Sequence, residues 1–358
     1  MAPSAGVAAA SASSRPVVNV AARDRLVDTF RRRLYSAIDF VPFPHQADWQ
    51  LAAHGWTLTD GAATEGDYYC AVQIPDPTDT TYTAEDRIQR TICQARAIVP
   101  RFGRGLAAHH LADLAAYKGG KSYGGAAFLT GYAILPDANV HLIGMEYGIC
   151  EHEFNYLVQF LCSEPPRGLN LKYRQLLNDK RGGRMRLALK PLMPGGDGAI
   201  FECKSWERKE GLKGAKVDLY YYCESYQFPG MDCYNTISQN LRQRRGRAVW
   251  TTTPDEPWVQ YLHDRGHNAE DPDWHCTCGA DDTCNPFTFD QKARDRDDPD
   301  KGGIMTRERF EIAHNGRLGT FVGRVYSYLR GEKHLSYESH PDLWLRKRAD
   351  LPYDAPRL

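Results

Sequence analysis

The chain has 358 residues with 45 basic and 45 acidic side chains, so its formal net charge is zero. That balance excludes a global basic field for nucleic acid, and any DNA contact must come from local patches. At 42% hydrophobic and 25% charged the composition is that of a folded globular protein. No run of about twenty apolar residues offers a membrane span, and the 10 scattered cysteines read as reduced thiols, not a disulfide framework.

Residues 1–20 begin with an Ala- and Ser-rich stretch that lacks the basic start of a signal peptide, and they read as a disordered arm. From Arg23 to Ile38 the apolar positions Leu26, Val27, Phe30, Leu34 and Ile38 recur at helical spacing. A Pro-rich turn, Phe40-Val-Pro-Phe-Pro-His-Gln46, leads into a short helix through Trp49 to Ala53. Gln46 has an amide able to pair with the N6 and N7 edge of adenine, and Phe43 has a ring to pack on a base. A surface turn with a capping Gln is the alternative. Residues 57–82 read as loops with short strands, Ala84–Ile98 as a helix, and Pro100–Gly105 as a break.

The chain is organised around Leu111–Tyr123. An apolar run ends in Gly119-Gly120-Lys121-Ser122, a helix-compatible segment follows to Leu135, and Val140–Met145 is a second apolar run. Strand, phosphate loop, helix, strand is the order of a P-loop fold. The glycines let backbone N–H groups close on phosphate oxygens, Lys121 reaches the β/γ-phosphates, and Ser122 holds Mg²⁺. Ala115 stands where the first glycine of G-x-x-x-x-G-K-[ST] belongs. A glycine-rich αβ turn that happens to contain Gly-Lys-Ser is the competing reading.

Glu151–Leu161 reads as a helix with Phe154, Leu157, Val158 and Leu161 on one face. The basic stretch 180–186 is either a phosphate-backbone contact or a solvated hairpin tip. Ala199–Cys203 reads as a strand and Gly211–Gly214 as a turn. Val217–Gly230 then places an apolar, aromatic strand ahead of Glu224, about one hundred residues after the phosphate loop. This is the layout of a Walker B strand, with Glu224 at the C-terminal strand end where open α/β sheets bind ligands, placed to polarise an attacking water. Cys223 occupies the position of the expected Mg²⁺-associated Asp. Asp218 cannot substitute, being six strand residues or about 20 Å away.

Ile237–Arg245 reads as a helix ending in Arg242, Arg244, Arg245 and Arg247, which are candidates for an arginine finger or for DNA contact and otherwise a solvated face. Ala248–Trp250 is the next strand, and Thr251, Thr252 and Thr253 at its end are hydroxyls suited to sensing a γ-phosphate. His263, His267, Cys276, Cys278 and Cys284 are zinc-ligand types, but their spacing matches no standard pair of units. Residues 289–301 are highly charged, Met305–Ile312 reads as a short helix and Gly316–Tyr328 as a strand.

Taken in order, Phe43-Pro-His-Gln46, Lys118-Gly-Gly-Lys-Ser122, the Gly211–Gly214 turn before Leu219-Tyr-Tyr-Tyr-Cys-Glu224, and Thr251-Thr-Thr-Pro254 resemble the ATPase domain of a tailed-phage terminase large subunit. The resemblance implies an α/β P-loop NTPase of the ASCE/RecA-like class, with a mostly parallel sheet flanked by helices and an N-terminal adenine-clamp segment. It implies ATP and Mg²⁺ as cofactors. Phe43, Gln46, Lys118, Gly119, Gly120, Lys121, Ser122 and Tyr123 would line the nucleotide, Ser122 and Glu224 would serve the metal, Glu224 would be the catalytic carboxylate, and Thr251–Thr253 would couple hydrolysis to movement. Lys118 stands where the family often has an arginine, and it keeps the charge without the bidentate fork.

As domains, the resemblance gives an ATPase region at 21–330, with a lid and adenine-binding part at 21–105 and the core sheet at 106–330. Residues 331–358 are left as a linker or the start of a nuclease domain. The implied partners are double-stranded DNA, a portal protein, a small terminase subunit and further copies in a ring of five, in the host cytoplasm and at the procapsid portal. A helicase-like translocase and a weakly catalytic docking protein of the virion are the rivals.

Overall fold

The structure, a computed structural model, describes residues 33–318 apart from 41, 43, 60–68, 73–90, 95, 96, 118, 166, 180–183, 193, 195, 213, 280–293 and 297–304. Two small antiparallel pairs precede the core. Strand β1 (Trp56–Thr59) pairs with β4 (Ala97–Pro100), and β2 (Tyr69–Val72) with β3 (Thr91–Gln94). The helix predicted over 84–98 is therefore corrected: residues 91–94 and 97–98 are strand. β-Branched Thr91, Ile92, Ile98 and Val99 favour the extended backbone once a partner strand is present.

The core is one eight-stranded sheet. Its members are β5 (His110–Ala115), β6 (Asn139–Gly144), β7 (Tyr173–Asp179), β8 (Arg184–Leu189), β9 (Ile200–Ser205), β10 (Leu219–Tyr222), β11 (Arg247–Thr252) and β12 (Trp274–Gly279). Their order is β12-β5-β11-β10-β6-β9-β8-β7. The pairs from β12 through β9 are parallel, and only β9–β8 and β8–β7 are antiparallel. The mostly parallel α/β sheet expected from the sequence is the one observed. The phosphate-loop strand β5 and the Glu224 strand β10 are separated by one inserted strand, β11, which ends in Thr251 and Thr252.

Strand alternation sorts the apolar residues into two cores, one on each face. Leu111, Val140, Leu142, Leu219, Tyr221 and Val249 face helices α2 (Lys121–Thr130) and α3 (Glu151–Cys162). Ala112, Leu114, Ile143, Tyr220, Tyr222 and Trp250 face the opposite core. That second face is covered by the short helices α4 (Asp232–Ile237) and α5 (Gln239–Arg242) and by α6 (Val259–Gly266). A stacked aromatic row, Tyr222–Trp250–Trp274–His110, crosses it from strand to strand. The single helix predicted over 237–245 is thus two short helices starting at Asp232, closed by Arg245 at a left-handed φ of 48°.

Two further elements complete the site. Helix α1 (Pro44–Ala52) lies against β5 and β12. Helix α7 (Arg307–Asn315) is capped by the Thr306 hydroxyl, which accepts from the Arg309 N–H, and it ends at left-handed Gly316. Residues 316–318 are not strand, and the rest of the strand predicted to Tyr328 lies outside the described residues.

Candidate active site

The phosphate loop begins where β5 ends. Ala115 is still extended strand, paired with Gly279, so the position needs no glycine freedom. Gly119 is required for close approach: a Cβ there would lie 2.9 Å from the Ala116 carbonyl oxygen. Gly120 takes the left-handed conformation at φ 75° and stands at the N-cap of α2 with no side-chain cap. The first N–H groups of α2 therefore point at the loop without a capping side chain, as an anion cradle requires.

Lys121 is 5% exposed, and its Nζ donates to three acceptors. They are the Ala116 carbonyl at 2.9 Å, the Ala115 carbonyl at 3.2 Å and the Thr253 hydroxyl at 3.1 Å. The phosphate-loop lysine and the threonine segment are thus joined directly. A second tie links that segment to the Glu224 turn, because the Tyr226 N–H donates to the Thr252 hydroxyl at 2.8 Å. Thr251 donates back to the Tyr222 carbonyl at 3.3 Å and Ser225 to the same carbonyl at 3.1 Å. Glu224 itself is left-handed, at φ 44°. A non-glycine residue held there carries strain of a kind that collects at functional sites. Its Oε2 is buried and has no hydrogen-bond partner.

Glu153, not singled out from the sequence, completes the cluster. It lies in the first turn of α3, is 1% exposed, and accepts from the Ser122 hydroxyl. Burial, then the neighbouring Cys150 and Glu224, push its carboxyl up to about 8, against the opposing pull of Ser122 and its own N–H. Glu153 Oε2 is a second buried oxygen without a hydrogen-bond partner. Two such acceptors beside a serine hydroxyl are a donor set suited to a hard divalent cation with water in its shell. Only position in space marks Glu153; in sequence it was an ordinary acidic residue at a helix start. Cys223, at the position of the expected Asp, is fully buried and hydrogen-bonded to Cys150, which also contacts Cys203.

Beneath the loop lies a buried pair, His45 Nε2 and Asp113 Oδ1, at 3.7 Å. Burial first and Lys121 second depress His45 to about 3, while burial raises Asp113 to about 7 against the pull of Lys121.

Gln46 is placed as a brace. Its amide Nε2 donates to the Gly120 carbonyl at 2.8 Å, and the side chain lies where a Cβ on Gly124 would be, 2.5 Å from that Nε2. Gly125 is similarly filled by Tyr221, whose hydroxyl lies 1.7 Å from a would-be Cβ. These approaches account for two glycines inside α2.

Tyr123 is not brought to the loop. Two residues on from Lys121 it has turned about 200° around the helix, and its ring packs on Phe40, Tyr156 and Phe160. The four candidate arginines are not brought to Lys121 within this chain either. They precede or begin β11, at the end of the sheet where the parallel strands start. Arg244 is bound to Asp218 at 2.8 Å and Arg247 Nε to the Ala108 carbonyl at 3.4 Å. Among the described residues, a guanidinium that does touch the phosphate loop is Arg309 of α7. It bonds Asp255 at 2.6 Å and the Tyr117 hydroxyl at 2.9 Å, and lies over the Tyr117 ring. Its distance in sequence from every motif hid it. Phe43 and Lys118 lie outside the described residues.

With this geometry in hand, comparison with solved structures returns phage large terminases. The chain is similar to large-terminase ATPase domains. One is that of Thermus phage P74-26, at 17% identity and a TM-score of 0.48, over 59% of this chain and 89% of that one. Another is the large terminase of a second thermophilic bacteriophage in complex with ADP, at 13% identity and a TM-score of 0.44, over 59% of this chain and 48% of that one. The latter enzyme was also solved with ATP-gamma-S, at 15% identity and a TM-score of 0.36, over 52% of this chain and 43% of that one. The chain thus spans about half the length of that second terminase. No protein-family model matches, and no curated protein matches. Among the described residues no helix is long and apolar enough to cross a membrane.

Proposed function

We propose that this chain is an ATP-hydrolysing motor subunit of viral DNA packaging, the ATPase part of a large terminase. The reading rests on the motif order in the sequence. The observation that carries it is the direct bond from Lys121 to Thr253, with the next residue, Ser122, bonded to Glu153, whose carboxyl feels the charge of Glu224.

In this reading Lys121 exchanges its contact with the Thr253 hydroxyl for phosphate oxygens at the N-terminus of α2. Ser122, with Glu153 and Glu224 beside it, holds Mg²⁺, and Glu153 supplies the carboxylate that Cys223 does not. Bound Mg·ATP provides the phosphoanhydride to be cleaved and the charge that neutralises its oxygens. Glu224 orients the attacking water and accepts its proton. Thr253, bonded to Lys121, reports the change to the end of β11. Gln46 then serves the loop itself, and adenine recognition is left to the rest of its turn. Among the described residues Arg309 is a guanidinium bonded to the loop residue Tyr117, and the 242–247 arginines serve as the finger offered to a neighbouring subunit in a ring of five. Double-stranded DNA, a portal protein and a small terminase subunit are the partners this motor requires.

The test is ATP turnover by wild type against Glu224→Gln. Loss of a positioned general base is expected to cost ~10²- to 10⁴-fold in rate, with nucleotide affinity retained. An unchanged rate overturns the motor and favours a protein that binds nucleotide only to dock.

A further inference from the structure

Outside the nucleotide site, one cluster of side chains is assembled as a metal site is. His263 and His267 lie four residues apart on α6 and at its C-cap, hence on one face. Cys276 and Cys278 lie two apart on β12, hence on one face of the strand. The fold brings the two faces together. The helix end is close enough to the strand that a Cβ on Gly266 would meet the Cys276 Cβ at 2.2 Å, so only glycine fits there. Ligand atoms of His263, His267 and Cys278 all lie within 4.8 Å of one another. The Cys278 thiol is also hydrogen-bonded to Cys276 and to His263.

The outer contacts are as telling as the inner ones. His263 Nδ1 lies 3.1 Å from the Asp264 carboxylate, and His267 Nδ1 lies 2.8 Å from the His263 carbonyl. Both rings are thereby held with Nδ1 occupied by an acceptor, which leaves Nε2 for coordination. Metal-ligating histidines are oriented in this way, by a carboxylate or a backbone carbonyl on the far nitrogen. The two rings sit 4.2 Å apart at 31°.

We propose that His263, His267 and Cys278 bind a zinc ion, with Cys276, on the same strand face and hydrogen-bonded to Cys278, becoming the fourth ligand when its Sγ turns from the Thr277 carbonyl. Two imidazole nitrogens and two thiolates are the donor set of a closed, four-coordinate structural site, for which zinc is the usual divalent occupant. The spacing looked irregular in sequence because H-x-x-x-H precedes C-x-C and the two sit on different elements. The ion fastens α6 to β12, whose Cys278 is paired with Leu114 of the phosphate-loop strand. It therefore fixes the outer edge of the nucleotide site without touching it.

The experiment is zinc content of the full chain, purified without chelator, by mass spectrometry, followed by replacement with Co²⁺. One zinc per chain is expected, together with a tetrahedral Co²⁺ spectrum carrying thiolate charge-transfer absorption. Cys278→Ser and His267→Asn should each lower zinc affinity ~10-fold or more, and Asp264→Asn, an exposed change that spares the fold, by ~10-fold through the ring it orients. Cys162→Ser, on α3, should bind as wild type does. The proposal is overturned if wild type takes up no zinc from micromolar Zn²⁺, or if Asp264→Asn and Cys278→Ser bind it as wild type does. Neither readout depends on ATP, so failure here leaves the motor reading standing, and failure of that reading leaves this one.

Discussion

Replacing Glu153 by Gln offers the sharpest examination of the site. Burial is the largest cause lifting this carboxyl from an ordinary 4.5 to about 8. Between those values the folded protein binds a proton that the unfolded chain has released, so stability falls as pH rises. The contribution is complete below pH 4.5 and is lost as pH climbs to about 8. Each pH unit in that window is worth ~1.4 kcal/mol, so the stretch from pH 5 to pH 8 amounts to about 4 kcal/mol. Glutamine imitates the protonated acid, keeps an oxygen to accept from Ser122, and does not titrate. Urea unfolding of wild type and Glu153→Gln from pH 5 to pH 9 measures the difference. Titrating groups that do not interact with Glu153, Asp113 among them, are common to both proteins and cancel, whereas Cys150 and Glu224 respond to the change and belong to the measured difference. The variant should gain on wild type by about 4 kcal/mol as pH rises. Two curves that stay parallel, within about 0.5 kcal/mol, would refute the assignment of a proton to this buried carboxyl.

Further outcomes follow from the same contacts. Lys121→Ala should abolish nucleotide binding at the loop, and unchanged ATP affinity by calorimetry would contradict the phosphate-loop geometry. Gly125→Ala drives a methyl into the Tyr221 ring and should destabilise by about 3 kcal/mol or more, read by denaturant midpoint. Arg244→Ala strips a partner from Asp218, which is 2% exposed, and should cost about 2 kcal/mol or more of stability. A loss of turnover with no loss of stability would instead restore Arg244 as a finger. Arg309→Ala, an exposed ion pair, should cost under about 1 kcal/mol yet slow hydrolysis through Tyr117, and equal turnover would exclude that route.

The parts of this molecule legible in its sequence are those written in local patterns. Gly119-Gly120-Lys121-Ser122 fixes a strand-to-helix turn by backbone needs alone, and Leu219–Tyr222 is apolar on both sides because both faces of the sheet are covered. Thr251–Thr253 joined them through position at a strand end. What was hidden depended on packing. Nothing local distinguishes Glu153 from other first-turn acids, and sequence proximity to a strand does not say which end of the sheet the arginines at 242–247 occupy. Thr91–Gln94 becomes strand through a partner far away in the chain. Gln46 has an amide suited to a base, and the missing side chain at Gly124 lets that amide sit against the loop, which only packing could reveal.

An ammonium has three protons, and those of Lys121 are all engaged. An anion arriving at the glycines can be greeted only if one of those engagements ends. Two are with backbone carbonyls of the turn; the third is with a side-chain hydroxyl that one torsion positions. Occupancy of the loop would thus be announced at the tip of the neighbouring strand by the swing of one threonine, with no need for the sheet to move.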